Sequence, residues 1–495
     1  MTIHMHTFEI FLNRITMYKL VLYGLIILAA SGFLLSMLGL LSISPLGLAA
    51  SLFLLLSSSY AAERVLSRIY GSSASVDSVW ITALILFLTV AAPESIAEGA
   101  MIALAGALAI ISKYILARGT KHIFNPAALA LVILSLSGAG LASWWVGSPY
   151  LFPLTAVLGF LIIRKIHRFD VVIAFLAASL PVALLSSTGM PLLETLSSLI
   201  FSGPLIFFAS FMLTEPLTMP PSRSMRIVYG IIVGGLYASG LHIGMLAATP
   251  HLSLIIGNLF SYAVSFKRRL LLKLYAIERL SDSVYEFVFR PDRSFAFSSG
   301  QYLEWTLPHE KPDRGGNRRY FTIASSPAEQ DVRIGVRIDK KASSFKDTLG
   351  GLKKGDTIIA TSLAGDFTLP KDRKEKLLFI AGGVGITPFA SMIRTLLHRG
   401  EERNIILFYA AASKEDLAYR ALLDRAQREL GIAVVYITGG RISPEHIAKH
   451  APDLHERRCY ISGPDAMVRT YRRTLAQMGV PKGNIKTDYF TGFGT

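Results

Sequence analysis

The stretch LLFIAGGVGITPFASMI, Leu377–Ile393, decides how the chain is read. Its uninterrupted apolar start suits a strand buried on both faces of a sheet. Gly382, Gly383 and Gly385 then turn the chain into Thr387-Pro388, the start of a helix. Backbone N–H groups at such a turn, with the positive end of the helix dipole, form a site suited to a dinucleotide pyrophosphate. The glycines depart from GxGxxG, so a purely structural tight turn competes as a reading of this segment taken alone.

The same rhythm continues on both sides. Buried runs followed by helical segments occur at Lys376–Ile380 and Pro388–His398, at Asn404–Ala410 and Lys414–Leu430, at Ala433–Ile437, and at Arg458–Ser462 and Asp465–Met478. This alternation predicts a parallel α/β sheet over residues 373–495. Upstream, short alternating strands at Leu274–Leu280, Val284–Arg290, Gln301–Leu307, Phe321–Ala324, Val332–Arg337 and Asp356–Thr361 predict a small antiparallel β-barrel over residues 267–372.

Residues 1–266 obey a different solvent. They hold 12 of the 50 Lys+Arg and 8 of the 34 Asp+Glu in a chain that is 52% hydrophobic and 17% charged. Apolar stretches at Tyr18–Leu41, Ile43–Tyr60, Val76–Ala92, Ile96–Leu116, Phe124–Gly138, Tyr150–Ile163, Phe169–Ser187, Leu193–Leu213, Met225–Leu241 and Leu252–Phe266 predict a polytopic α-helical membrane domain of about ten helices. Alternate connections carry Arg64/Arg68, Lys113/Arg118/Lys121, Arg164/Lys165/Arg168, Arg223/Arg226 and Lys267/Arg268/Arg269, and those between carry no Lys or Arg. By the positive-inside rule both termini and the polar half face the cytoplasm, so an integral protein of the cell membrane with no removable signal peptide is expected. The net charge of +16 comes from these clusters and from basic residues interspersed with acids, a pattern that argues against nucleic acid as a partner.

The single cysteine, Cys459, excludes a disulfide within the chain, a Cys-ligated zinc site and a chain-borne iron–sulfur cluster. It falls on a strand and reads as a core residue, and no metal ligand set is assigned. His122, His167, His242 and His251 fall mostly in connections without paired spacing on two helices, which argues against haem.

Around the glycine turn stand GQYLEW (Gly300–Trp305), RRYFTIASSP (Arg318–Pro327), KKASSFKDTLGGLKKGD (Lys340–Asp356), CYISGPDAM (Cys459–Met467) and KTDYFTGF (Lys486–Phe493). In this order and spacing residues 270–495 resemble the ferredoxin–NADP reductase family. The resemblance implies a barrel holding FAD and an α/β domain holding NAD(P)H, with hydride passing from nicotinamide to flavin. It implies that Arg319 pairs with flavin phosphate and that Tyr320, Phe321 and Thr322 lie at the flavin, with Phe321 where the family has Tyr and Thr322 near the reactive nitrogen. Ser343 and Ser344 are implied to hold the FAD pyrophosphate. Gly382, Gly383, Gly385, Thr387 and Pro388, with Gly463 and Pro464, are implied to cradle the nicotinamide dinucleotide. Ser462 replaces the family's usual cysteine beside the hydride path, and Asp488 and Phe490 resemble its C-terminal acid and aromatic, with Tyr489 or Phe493 as alternative ring-capping groups. Thr322, Ser462 and Asp488 are the implied catalytic positions. NADH and NADPH stay open: Ser413, Lys414 and Arg441 favour a 2′-phosphate, while Glu415 and Asp416 oppose one.

In the apolar half, GTKHIFNPAALALVIL (Gly119–Leu134) and FMLTEPLTMPPSRSMRIVYGIIVGG (Phe211–Gly235) resemble membrane components of the Rnf complex and of the sodium-translocating NADH:quinone reductase (Nqr). That resemblance points to Asn125, Thr214, Glu215 and Thr218 as a membrane-domain flavin or substrate site. The Ser-Gly-Ala-Thr attachment motif is absent and Ser186-Ser187-Thr188-Gly189 lacks its context, so a noncovalent FMN or riboflavin is expected rather than a covalent one. The joint reading is a membrane oxidoreductase passing electrons from NAD(P)H through FAD to a membrane flavin or quinone, with ion translocation ranked below simple electron transfer. A flavin or small-molecule transporter with an attached reductase module, and a haem-bearing transmembrane reductase, are the alternatives.

Overall fold

A computed structural model describes residues 15–70, 76–118, 121–136, 138, 140–186, 191–201, 203–243, 246–265, 269–309, 313, 317–339 and 342–488. The chain divides after Ser265 into two compact units.

The first unit is helical: α1 (Met17–Met37), α2 (Pro45–Tyr70), α3 (Val76–Thr89), α4 (Ile96–Ile115), α5 (Pro126–Leu136), α6 (Phe152–Ile166), α7 (Phe169–Ser186), α8 (Leu192–Phe201), α9 (Leu205–Met212, ending in a π-turn over Phe208–Met212), α10 (Arg223–Ala238) and α11 (Pro250–Val264). Hydroxyl caps start several of them: Thr16 accepts from Lys19 N at 3.4 Å, Ser95 from Glu98 N at 3.2 Å and Thr249 from Leu252 N at 3.3 Å. Each expected apolar run carries helix. Among the described residues, however, only α1, α2, α4 and α7 are long and apolar enough to cross a bilayer, or five spans if α8 and α9, bent by 54°, count as one. The expected set of about ten membrane-crossing helices is therefore not reproduced. At about 1.5 Å per residue, helices of about 11–16 residues reach roughly 16–24 Å, short of the roughly 30 Å of hydrocarbon. Prolines and hydroxyl caps fix where several of them start, as at Pro126, Ser222 and Thr249-Pro250. Close approach compensates in packing, for Gly230 and Gly234 on α10 lie against the backbone of α7 at Val171 and Phe175. Arg226 and Asp170 pair across the same two helices at 2.8 Å.

The second unit begins with β1 (Leu270–Arg279), β2 (Val284–Pro291), β3 (Tyr302–Thr306), β4 (Arg318–Thr322), β5 (Val332–Arg337), α12 (Ser344–Gly350) and β6 (Thr357–Ala364). The strands form one antiparallel sheet ordered β4-β3-β6-β1-β2-β5, curled over Phe287, Phe289, Trp305, Ile334 and Phe345. Among the described residues no strand pair closes β4 onto β5, so the sheet is a half-barrel rather than the expected barrel.

Next come β7 (Leu377–Gly382), α13 (Thr387–Arg399), β8 (Ile405–Ala411), α14 (Arg420–Leu430), β9 (Ala433–Thr438), α15 (Pro444–His450), β10 (Arg458–Ser462), α16 (Asp465–Gln477) and β11 (Ile485–Thr487). The strands form a parallel sheet ordered β9-β8-β7-β10-β11, with β7 buried throughout at its centre. The helix expected from Lys414 begins only at Arg420. Tyr419 adopts φ +59°, a left-handed conformation that interrupts the helical ladder.

Candidate functional site

In the parallel sheet the strand order reverses between β7 and β10, so the loops leaving these two strands flank the crevice where such sheets bind ligands. After β7, Gly383 takes φ +52°, and Thr387 Oγ1 donates to Val384 O at 2.6 Å to close the turn. A Cβ on Gly385 would stand 2.5 Å from the backbone of Gly463, and one on Gly382 would run into the Met467 sulfur. The two turns thus pack backbone on backbone, and this brings Gly382, Gly383, Gly385, Thr387 and Pro388 beside Ser462, Gly463 and Pro464.

Ser462 Oγ donates to Asp488 Oδ2 at 3.2 Å, while Asp488 N donates to Ile461 O at 2.9 Å. Burial pushes the Asp488 carboxyl up to about 7, against the opposing pull of the Ser462 hydroxyl. Phe490, Tyr489 and Phe493 lie outside the described residues. Cys459 is buried on β10, where burial pushes its thiol up to about 12, outweighing nearby Arg457. Such a thiol is a core residue and not a nucleophile.

On the half-barrel, alternation along β4 puts Arg319 and Phe321 on one face and Tyr320 and Thr322 on the other. The Arg319 guanidinium lies 5.5 Å from the Phe345 ring centroid, and the Phe321 ring lies 5.8 Å from the same ring. Tyr320 instead stands edge-on to Tyr302 at 5.5 Å and reaches Glu304 Oε1 at 3.5 Å. Ser343 caps α12 by accepting from Lys346 N at 3.4 Å. The structure therefore brings Arg319 and Phe321 beside Phe345, on the helix that Ser343 caps, and sets Tyr320 and Thr322 on the opposite face of β4.

Two residues here escaped the sequence reading. Asp313 accepts from Arg319 Nη2 at 3.0 Å and from Ser344 N at 3.0 Å, and His309 Nε2 meets Ser344 Oγ at 2.9 Å. Both stand in the segment PHEKPDRGG, which has no periodicity to flag them. Lys346 adds a third basic group beside Arg319 and Arg337. Burial lowers its ammonium from the ordinary range, Asp339 pulls it back, and the two guanidiniums lower it further.

In the helical unit Asn125 caps α5, its Oδ1 accepting from Ala128 N at 3.0 Å. Its side-chain amide donates to Glu215 Oε2 at 2.9 Å, an oxygen that also accepts from Thr218 Oγ1 at 3.2 Å. The other carboxylate oxygen lies 2.8 Å from His122 Nε2. Asn125 N donates to Asn258 Oδ1 at 2.8 Å, and Asn258 Nδ2 donates on to Tyr229 OH at 3.2 Å. Thr214 donates to Ser210 O at 2.6 Å.

Asn125, Thr214 and Glu215 line a cavity of about 650 Å³, its open mouth included, with Lys113 and His122 at the same polar end and Ile81, Ile162 and Phe211 among its apolar walls. Lys113 Nζ donates to Ser78 O at 2.8 Å and to Ser78 Oγ at 3.0 Å. The residues expected as a membrane-domain site thus meet, with Thr218 supporting Glu215 from behind. The sequence reading missed Lys113, and it weighed His122 only as a haem ligand.

Residues 379–473 match the model of the oxidoreductase NAD-binding domain, and residues 147–267 match that of the NQR2, RnfD, RnfE family. The chain is 28% identical over 248 residues to a flavohemoprotein of Halalkalibacterium halodurans, covering 44% of this chain and 59% of that one. It is 28% identical over 239 residues to ferredoxin–NADP reductase B of Sorangium cellulosum, covering 44% of this chain and 96% of the relative. The solved flavohem-like FAD/NAD-binding domain of nitric oxide dioxygenase from Vibrio cholerae aligns with 45% of this chain and 98% of its own length, at 18% identity and a TM-score of 0.40. The matched stretch spans 40–59% of the length of the flavohemoproteins it resembles. One polypeptide therefore carries a segment that matches the NQR2, RnfD, RnfE family model and one that matches the oxidoreductase NAD-binding domain model.

Proposed function

We propose that the chain is a membrane-bound flavoprotein oxidoreductase that takes hydride from NAD(P)H onto FAD and passes electrons to a flavin or quinone in its helical unit. The observation that carries this reading is the union, in one polypeptide, of the NAD-binding domain and the NQR2, RnfD, RnfE segment. Fusion replaces diffusion between partners by a high effective concentration. The proposed division is a membrane domain over residues 1–266, an FAD domain over 267–372 and an NAD(P)H domain over 373–495, with both termini and the reductase module cytoplasmic.

The residues fit a flavin dinucleotide, because Arg319 and the Ser344 amide already hold an anion, the Asp313 carboxylate. Bound FAD supplies an acceptor that takes a hydride and releases electrons singly or in pairs. In this reading Arg319 holds phosphate, and Phe321 offers an apolar ring in place of a tyrosine. The glycines at 382, 383 and 385 let the nicotinamide dinucleotide approach the backbone. Asp488, its carboxyl raised to about 7 by burial, accepts a hydrogen bond from the Ser462 hydroxyl and holds or releases its own proton near neutral pH. In the helical unit Glu215, His122 and Lys113 supply the polar end of a site whose apolar walls suit the ring of a noncovalent FMN, riboflavin or quinone. Ion translocation is the extension of this reading, with Glu215 its carboxylate. The open cavity also favours a second reading, a flavin or small-molecule transporter carrying a reductase module.

The test is a flavin inventory and anaerobic reduction by NADH and NADPH on detergent-purified chain. FAD and a second flavin reduced in sequence, with quinone-dependent oxidation of the nicotinamide, are expected. FAD alone without quinone-dependent turnover would turn the assignment to the transporter, and a Soret band would turn it to haem.

A further inference from the structure

We infer that Asp313 is a built-in counter-anion on the phosphate-binding arginine and sets how tightly the flavin dinucleotide is anchored. The inference rests on the proposed pairing of Arg319 with FAD phosphate. Asp313 Oδ1 accepts from Arg319 Nη2 at 3.0 Å, and its Oδ2 accepts from Ser344 N at 3.0 Å. The Asp313 backbone N–H in turn donates to Ser344 Oγ at 2.9 Å. His309 Nδ1 lies 2.9 Å from Leu307 O, a group that only accepts, so this nitrogen carries the proton. His309 Nε2 then accepts from Ser344 Oγ at 2.9 Å. Asp313 and Ser344 are thus bound to one another through two reciprocal hydrogen bonds, and His309 fixes the hydroxyl.

One carboxylate bridging a guanidinium and a backbone amide occupies the donors that two oxygens of a phosphate would use. The Arg319 side chain is only 14% exposed, so its choice of anion matters more than that of a fully solvated pair. Lys346 and Arg337 add positive charge around it, with Asp339 the opposing acid. Phosphate and the Asp313 carboxylate cannot share these donors without bringing two anions together, which is unfavourable. Binding the dinucleotide is therefore an exchange, in which phosphate enters and the Asp313 carboxylate gives up Arg319 and the Ser344 amide. A flavin lacking phosphate leaves Asp313 where it is.

The experiment strips flavin from the full chain in detergent and titrates FAD and riboflavin against wild type, Asp313→Asn and Asp313→Ser by flavin fluorescence. Asparagine keeps the size, the backbone bond to Ser344 Oγ and one of the two accepting oxygens but drops the charge. FAD affinity is expected to rise about tenfold in the variants, the low end of what a charge-assisted pair contributes. Riboflavin affinity is expected to stay unchanged, and inorganic pyrophosphate should compete with FAD more strongly in the variants. A fall in FAD affinity, or equal changes for FAD and riboflavin, would overturn the inference and make Asp313 a positioning residue for Arg319. Absence of FAD binding to wild type, or FAD binding by Arg319→Ala equal to wild type, would instead sink the underlying phosphate assignment and the inference with it.

Discussion

Two glutamates, one in each unit, tie together distant segments in opposite ways. Glu286 on β2 is wholly enclosed. Its two oxygens accept from Arg394 Nη1 and Nη2, each at 3.0 Å, and one also accepts from Arg333 Nη1 at 2.9 Å. Burial alone would raise its carboxyl, and the Arg394 and Arg333 guanidiniums outweigh that and hold it below the ordinary range. Glu215 also joins distant residues, His122 and Asn125. Its hydrogen-bonding partners, though, are one imidazole and neutral donors, with the Lys113 ammonium close by, and its side chain is 21% exposed at a cavity wall. A carboxylate matched by fixed charges with no free space is a fastener. One matched by weaker donors beside an open volume is placed to meet something else.

The largest effect is expected where the fastener breaks. Glu286→Gln leaves Arg394 and Arg333 without their enclosed counter-charge, a change that costs about 3–5 kcal/mol. The urea midpoint of the second unit should fall accordingly, while Glu215→Gln leaves that midpoint in place. A loss below about 1 kcal/mol, the range of exposed pairs, would erase the contrast.

Next in size is the effect of Glu215→Gln on whatever occupies the cavity. Removing a charged hydrogen-bonding partner costs about 1.5–3 kcal/mol. Retention of the second flavin, or the quinone-dependent phase of nicotinamide oxidation, should therefore drop at least about tenfold. If retention and rate both match wild type, Glu215 is a second fastener and the comparison collapses.

Glu215 was singled out only through resemblance, and the role of Glu286 was not readable from the chain. Glu286 and Arg394 are 108 positions apart, and each looks like a charge on a solvated face until β2 and α13 are packed together. By contrast, β7 and its glycine turn were legible because both signals, an apolar run and a break, are local. Arg319 was legible only through resemblance, and Asp313 not at all, since its partner Ser344 lies 31 positions on. In the first unit hydropathy located the apolar runs but not their helix lengths. It measures composition, whereas Asn125 and the Thr214-Glu215-Pro216 break decide where the hydrogen-bonded ladder starts and stops.

A third test sharpens the contrast through pH. Asp488 has a folded carboxyl raised to about 7 from an ordinary 3.8, so the native state binds its proton more tightly than the unfolded chain does. Its contribution to stability is full below about pH 4, is lost as pH rises towards about 7, and is flat above that. One proton limits the slope to about 1.4 kcal/mol per pH unit. Asp488→Asn should remove this slope and leave the variant more stable than wild type at pH 8. Glu286, lowered rather than raised, acts in the opposite sense: its stabilisation is present above the unfolded carboxylate range and is lost on acidification. An Asp488→Asn profile that runs parallel to wild type between pH 4 and 7 would contradict the burial of Asp488.

The smallest perturbation needs no substitution at the probe itself. Cys459 is wholly buried and its thiol is pushed up to about 12, burial being the main cause. At pH 8 the reactive thiolate is then on the order of one part in ten thousand, and the reagent has no path to it. Iodoacetamide should leave the native chain unlabelled on a timescale that fully modifies the unfolded one. Labelling then proceeds through opening of the second unit, and its rate follows the population of the open form when closing outpaces reaction. Glu286→Gln should accelerate labelling in proportion to the stability it removes, and Glu215→Gln should not change it. Equal acceleration by both variants would mean that the two glutamates fasten one cooperative structure, whereas acceleration by neither would place Cys459 in a locally opening segment outside the reach of the Glu286 fastener.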